Sequence, residues 1–292
     1  MTLNVLRSLT AGPLLAGLLL TVTFQVSADP GSRIWATGGV TTIEGSAGGG
    51  LVPWALMAGY ASDDEWGGTL NLSRAEFDDY TLSVAGAAVN WNNRIELSIA
   101  RQTLDLDTLG AALAEDELNQ DIFGLKVRLF GDLLYTDYGQ WSLGLQHKRQ
   151  RNFTVPDAIG ARSQQGTDVY LAGSKLFFAA ILDRNLLVNA TLRGTKANQG
   201  GLLGFGGDRN NSYEAMFETS VGLFLNRSWL LGAEYRQKPD NLDFASEDDW
   251  WDLFVAWVPD RRLSVTAAWV SLGDVAGLED QRGLYLSLQG SF

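Results

Sequence analysis

The chain has 292 residues, with 22 basic against 34 acidic side chains, one histidine and no cysteine. This excludes a disulfide framework and a thiolate metal site, and an acidic chain lacks the basic surface that nucleic acid requires. Mean hydropathy is −0.03, a value shared by soluble proteins and by membrane barrels whose strands each turn one face to a polar lumen.

At the start, Arg7 stands in a short polar stretch, Leu14 to Val22 form an apolar run, and Val26-Ser27-Ala28 precede Asp29-Pro30. A positive start, a short apolar centre and small residues before the break predict a secretory signal peptide cut after Ala28. The apolar run is short for a membrane span of about 20 residues. Cleavage leaves a single domain over 29–292. The signal carries one of the basic residues, so the charge over 29–292 is 21 − 34 = −13. No later run is apolar and long enough for a transmembrane helix.

Thr37 to Tyr60 reads TGGVTTIEGSAGGGLVPWALMAGY and holds seven glycines. It contains neither a G-x-x-x-x-G-K-[ST] loop nor a dinucleotide fingerprint, so no nucleotide site is expected. Gly48-Gly49-Gly50 suit a tight bend or a close backbone approach. Glu44 lies inside this apolar block. Buried, it would need a partner; exposure at a rim is the simpler expectation.

Beyond this block, period-two segments recur. Two are expected near 54–61 and 67–75. Tyr80 to Val89 alternates Leu82, Val84, Gly86 and Ala88 with Thr81, Ser83, Ala85 and Ala87. Arg94–Thr103, Asp121–Gly131 and Gln140–Gln150 repeat the pattern, followed by segments near 167–178, 184–194, 211–225, 228–237, 249–258 and 262–272. Short connectors (Asn92-Asn93, 133–138, 179–183, Asn226-Arg227, Pro259-Asp260) interleave with long ones (104–119, 151–166, 195–210, 239–247, 273–281). The first long connector has room for a helical turn or two. In the second half of 195–210, Leu202, Leu203 and Phe205 suit either an inward-folding gate or, more simply, a surface loop. Short turns at one end and longer loops at the other are the pattern of a membrane barrel. Trp91, Trp141, Trp229 and Trp257 fall near short turns, and Trp251 and Trp269 near the other ends. This predicts aromatic girdles at two interfaces.

The final RGLYLSLQGSF puts Leu284, Leu286, Leu288, Gly290 and Phe292 on one parity and Tyr285, Ser287, Gln289 and Ser291 on the other. It resembles the closing strand of a bacterial outer-membrane β-barrel, and Leu284, Leu286, Leu288 and Phe292 are its expected assembly signal. The expected fold is all-β: a transmembrane antiparallel up-and-down barrel of about fourteen strands, the first within 34–44. The alternative is twelve strands with the N-terminal stretch folded inside. Even strand numbers satisfy both.

Polar-parity residues then face the lumen. The candidate lining set is Glu96, Lys126, Arg128, Lys148, Arg193, Glu214, Glu218, Glu234 and Arg236. Two arrangements stay open. Lys126, Arg128 and Lys148 form a basic wall opposite an acidic wall of Glu214, Glu218 and Glu234, or the charges pair and fill a closed barrel.

The block GGVTTIEGSAGGGLVPWALMAGY, after a leader and before strands ending in phenylalanine, resembles the proteobacterial domain-of-unknown-function family 3034. The resemblance implies an outer-membrane-type protein and supplies no activity, substrate or catalytic residue. The one histidine, His147, falls on the outward parity. Its expected outward neighbours Phe123, Leu125, Val127, Val169 and Leu171 include no nucleophile or amide, so a lipase-type triad is not expected. No cofactor or metal is expected either.

The expectation is therefore a bacterial outer-membrane channel or uptake pore for small solutes, or else a closed structural or interaction barrel. Its expected partners are outer-membrane lipid, the barrel-insertion machinery, periplasmic chaperones and a small solute. Deleting Phe292 is predicted to impair assembly severely, read as loss of the heat-modifiable folded band from membranes.

Overall fold

The computed structural model describes residues 38–106, 115–244 and 246–292. The expected leader and half of the connector expected to carry helical turns (107–114) lie outside the described residues.

Two short strands, β1 (Val40–Thr41) and β2 (Ala47–Gly48), pair as a hairpin. Then come β3 (Trp66–Phe77), β4 (Thr81–Trp91), β5 (Ile95–Asp105), β6 (Glu117–Gly131) and β7 (Gln140–Gln150). A single helical turn, α1 (Thr154–Ala158), precedes β8 (Gln165–Ile181), β9 (Arg184–Thr195) and β10 (Glu214–Phe224). The chain ends with β11 (Trp229–Arg236), β12 (Trp250–Asp260), β13 (Leu263–Val275) and β14 (Leu278–Ser291). Strands β3 to β14 form one closed barrel of twelve strands, each paired with its neighbours in chain order. The seam runs antiparallel from Gly283↔Phe77 to Ser291↔Thr69 and joins β14 to β3. Closure leaves no strand edge unpaired, which a bilayer demands.

The all-β barrel read from alternation is thus found at its twelve-stranded count. The described residues of the stretch expected at 34–44, and those of 54–61, add no strand to the wall. Nearly every described residue from 38 to 61 is buried, on both parities, inside the barrel. A wall strand buries one parity and exposes the other; an irregular segment surrounded by wall buries both.

The outward parity is apolar. Leu72, Leu97, Ile99, Phe123, Leu253 and Leu286 are each more than half exposed. A belt of such residues around the molecule far exceeds the apolar patches of soluble proteins, so the barrel is built to sit in a bilayer. At the end with the short turns, Trp66 stacks near Trp91, Phe130 near Trp141 and Trp229 near Trp257, with ring centroids 6.0–6.3 Å apart. Trp251 and Trp269 face outward nearer the opposite end. We call these the turn end and the loop end.

Several turns form without glycine at both central positions. Asn92 and Asn93 both take positive φ between β4 and β5, as do Leu182 and Asp183 between β8 and β9. Positive φ at both positions is the primed geometry that matches strand twist. The segment 273–281, expected as a long connector, is instead mostly paired strand: Val275 faces Leu278 across a two-residue turn.

The lumen wall has two chemical halves. From β5 to β11 its inward residues are mostly polar or charged. Along β3, β4 and β12 to β14 many are apolar, among them Ala75, Leu82, Val84, Phe254, Val270 and Tyr285. In β4 the apolar parity therefore faces inward.

Leu72 lies in the middle of β3, 64% exposed, opposite Leu288. Leu72→Arg is expected to destabilise the barrel in liposomes by about 2–4 kcal/mol if it faces hydrocarbon, measured by denaturant unfolding. A water-facing position would show a change within about 0.5 kcal/mol.

Candidate functional site

Residues 38–61 form a plug within the lumen, and most of its backbone has no regular partner of its own. Buried backbone N–H and C=O groups must be satisfied, and here the barrel wall supplies the partners. Glu96 accepts from the N–H groups of Ala47 (3.1 Å) and Ala58 (2.7 Å). Lys126 donates to the carbonyls of Ala47 (2.9 Å) and Trp54 (3.2 Å) and pairs with Glu96 at 3.2 Å. Ser142 and Gln140 donate to the Ala55 carbonyl, and Thr191 to that of Pro53. Glu234 accepts the Leu51 N–H at 2.7 Å and the Ser220 hydroxyl at 2.5 Å. The triple glycine permits this approach. A Cβ on Gly49 would fall 2.1 Å from Glu234 Oε1, and Gly50 holds a φ of +138°.

Glu44 lies at the centre, 1% exposed. Its carboxylate meets three cations from three strands: Lys148 at 2.6 Å, Arg236 at 2.7 Å and Arg193 at 3.2 Å. Those cations also reach wall carboxylates. Lys148 pairs with Asp168 at 2.7 Å, Arg193 with Glu218 at 2.6 Å and Asp168 at 3.3 Å, and Arg236 with Glu218 at 3.3 Å. Three positive and three negative groups thus close into a neutral, buried network. Arg193 also lies over the Tyr170 ring, 5.3 Å from its centroid. The rim exposure expected for Glu44 is overturned, because the wall cations need it.

The loop between β9 and β10 folds inward at the loop end and forms a lid. Leu202, Leu203 and Phe205 are buried, so the inward alternative holds and the surface-loop expectation does not. The Gly200 carbonyl accepts from Lys148 at 3.1 Å, and the Leu202 carbonyl from Gln150 at 2.7 Å. Lys148 therefore joins plug, wall and lid. Above the lid, Lys238 pairs with Glu247 at 3.2 Å and donates to Gln199 at 3.0 Å. Burial pulls the Lys238 amine below its usual range and pushes the Glu247 carboxyl above its own; the ion pair offsets this in part.

Seven of the nine predicted lining residues are buried inside the barrel: Glu96, Lys126, Lys148, Arg193, Glu218, Glu234 and Arg236. The other two sit at the ends. A register shift in β6 next to Arg128 accompanies its turn-end position, where it donates to the Gly131 carbonyl and pairs with Asp132. Glu214 stands half-buried at the loop end and accepts from Asn210. The opposed walls of like charge are not formed; the charges interleave and pair. Sequence reasoning missed Asp168 as an interior partner, although inward parity on β8 marks it; Asp252, on the inward parity of β12, is buried as that parity predicts. Leu284, Leu286, Leu288 and Phe292 are all more than half exposed on the outer face. Phe292 exchanges backbone hydrogen bonds with Gly68 at 3.0 Å.

His147 is outward-facing, and its Nδ1 lies 3.0 Å from the Thr167 hydroxyl. Thr167, directly opposite His147 in the β7–β8 register, is a neighbour the parity assignment overlooked. Nucleophilic catalysis also needs a third group orienting the base. No hydrogen bond reaches Nε2 of His147 among the described residues.

A family model described as "Protein of unknown function (DUF3034)" matches residues 37–289. The chain belongs to this family. The match takes in the plug and eleven strands with most of β14, so plug and barrel belong to one family unit. No curated protein matches the chain. Among solved structures it is similar to the KdgM porin, with 10% identity, a TM-score of 0.48, and coverage of 77% of this chain and 99% of that one. It is also similar to the outer membrane protein Omp33 of Acinetobacter baumannii (12% identity, TM-score 0.47, 79% and 100% covered). A third is outer membrane phospholipase A from Escherichia coli (10% identity, TM-score 0.42, 79% and 93% covered).

Removing Glu44 leaves Lys148, Arg193 and Arg236 to share the two carboxylates of Asp168 and Glu218, one buried positive charge uncompensated. Glu44→Ala is expected to destabilise the fold by about 3–5 kcal/mol, and Glu44→Gln by less because it keeps hydrogen-bond acceptance. Denaturant unfolding, with hydrogen exchange of the amides of 40–58, checks both the magnitude and the segment released.

Proposed function

We propose that this protein is a gated outer-membrane channel for small solutes, closed at rest by its plug and lid. The observation that carries the reading is the manner of attachment. The plug is held by ion pairs and most of its hydrogen bonds to one half of the lumen, and to the other by apolar contact with a few hydrogen bonds, from Thr41 to Gln289 and Thr69 and from Gln289 to Gly39. A purely structural filler gains most from apolar packing, since a buried ion pair is often no better than apolar residues of the same volume. Polar attachment can be exchanged for water, bond for bond, when a segment moves. The belt of apolar residues, the aromatic girdles and the outward Leu284-Leu286-Leu288-Phe292 face support an outer-membrane site reached through the insertion machinery.

The second reading is a closed structural barrel. The complete neutralisation of the central charge network favours it, because such a lumen conducts nothing while the plug stays seated.

Planar-bilayer recording separates the two. Wild-type protein is expected to be mostly closed with rare openings. Glu44→Gln is expected to raise the open fraction about tenfold for each 1.4 kcal/mol removed from the seated state. Deletion of 38–58 is expected to give a steady open level. A folded deletion protein with no steady conductance would leave the structural barrel as the reading.

A further inference from the structure

The apolar half of the lumen contains a void between the plug and the wall. It holds about 40 Å³ and is bordered by Ile43 and Leu51 of the plug and by Tyr80, Trp250, Val270 and Tyr285 among others. Its lining surface is wholly apolar. A second, smaller void of about 10 Å³ shares Ile43, Leu51, Val270 and Tyr285 with the first, and Asp252 borders it. The two spaces adjoin across these four side chains and together make a compartment with an apolar part and a smaller part bordered by Asp252.

Asp252 is the anomaly. It is 3% exposed, and its Oδ1 has no hydrogen-bond partner. It stands directly opposite Glu234 in the β11–β12 register, and like charges so placed repel. Neither carboxylate takes part in an ion pair among the described residues, whereas Glu44, Asp168 and Glu218 in the same lumen are all paired with lysine or arginine. Glu234 is held by the Leu51 N–H and the Ser220 hydroxyl. Asp252 borders the smaller void and leaves its Oδ1 as an unpaired acceptor. A buried carboxylate without a cation is strongly disfavoured.

We propose that this compartment binds a small organic monocation, an apolar body bearing one ammonium group that seats on Asp252. The class follows from the two ends of the space. An inorganic cation needs several oxygen ligands, and the larger void offers none. Among the described residues no group of three acidic, histidine or cysteine side chains is arranged to hold a metal ion. A neutral apolar solute would fill the larger void and leave Asp252 unpaired. An ammonium on a short apolar or aromatic body satisfies both, and the aromatic rings of Tyr285 and Phe254 border the smaller void beside Asp252, surroundings that favour a cation. The void is too small for such a body while Ile43 and Leu51 are seated, so binding displaces that edge of the plug. The ligand class thus rests on the gated-channel reading for its role in opening, though not for binding itself.

The test uses the folded full-length protein in detergent, with benzylammonium, benzyl alcohol and benzoate as probes in equilibrium dialysis. Benzylammonium is expected to bind about tenfold or more tightly than benzyl alcohol, as a charge-assisted hydrogen bond implies, and benzoate not to bind. Asp252→Asn is expected to remove the preference of amine over alcohol. Leu272→Trp, which fills the void from β13, is expected to abolish binding of both; heat-modifiable migration verifies that each variant is folded. Equal binding of amine and alcohol by the wild type, binding of neither, or a preference that survives in folded Asp252→Asn would each overturn the proposal. The wild-type comparison decides even where a variant fails to fold. Binding of benzylammonium by a protein whose plug deletion never conducts would keep this site and remove the channel. A conducting deletion protein, with a wild type indifferent to benzylammonium, would do the reverse.

Discussion

A carboxylate with almost no solvent contact is tolerated only beside positive charge, and Glu44 is where the molecule meets that condition. The dependence is mutual. Lys148, Arg193 and Arg236 come from β7, β9 and β11, and each projects into a space that excludes water once the plug is seated. Asp168 and Glu218 supply two negative charges to these three cations; Glu44 supplies the third. The plug therefore does more than occupy volume. It completes a charge balance that the wall leaves unfinished, and its position within the barrel is set by that balance. The lid follows, because the lysine that binds Glu44 also binds the Gly200 carbonyl.

Much of the barrel was legible because its signal is local. Alternation along β5, β7 and β14 assigns faces residue by residue, and indoles near short turns mark the interfaces. The plug was not legible in this way. Its partners lie far away in sequence: Glu44 to Lys148 spans 104 residues and Glu44 to Arg236 spans 192. Its backbone is irregular, so it carries no period of its own. The glycine block signalled close approach, and the structure shows what is approached, the carboxylate of Glu234. Parity also misled where the wall itself is apolar inside. On β4, Leu82 and Val84 look like membrane-facing residues and instead line the lumen. Alternation says that two faces differ; it does not say which one meets lipid. At Arg128 the local register shift and the nearby turn override the pattern, and the side chain serves the turn instead of the lumen.

The two halves of the interior play different mechanical parts. On the charged side, bonds are short and directional, so the plug is either in register or not. On the apolar side, contacts carry little directional preference, and the packing there is incomplete. Stiffness on one side and slack on the other give the plug a hinge-like asymmetry. A disturbance beginning in the slack half meets less resistance than one aimed at Glu44.

The plug is also covalently continuous with the wall. Only a few residues separate Ala61 from Trp66, where β3 begins at the turn end. A segment so tethered acts as an intramolecular ligand for its own lumen. Its effective concentration there is on the order of millimolar for a short flexible link, and it does not fall when the protein is diluted. Any solute that occupies the lumen competes with this resident ligand, and when the solute leaves, the ligand is already in place to return. In the proposed channel, opening is then self-resetting, and the length of the link sets how readily the plug returns.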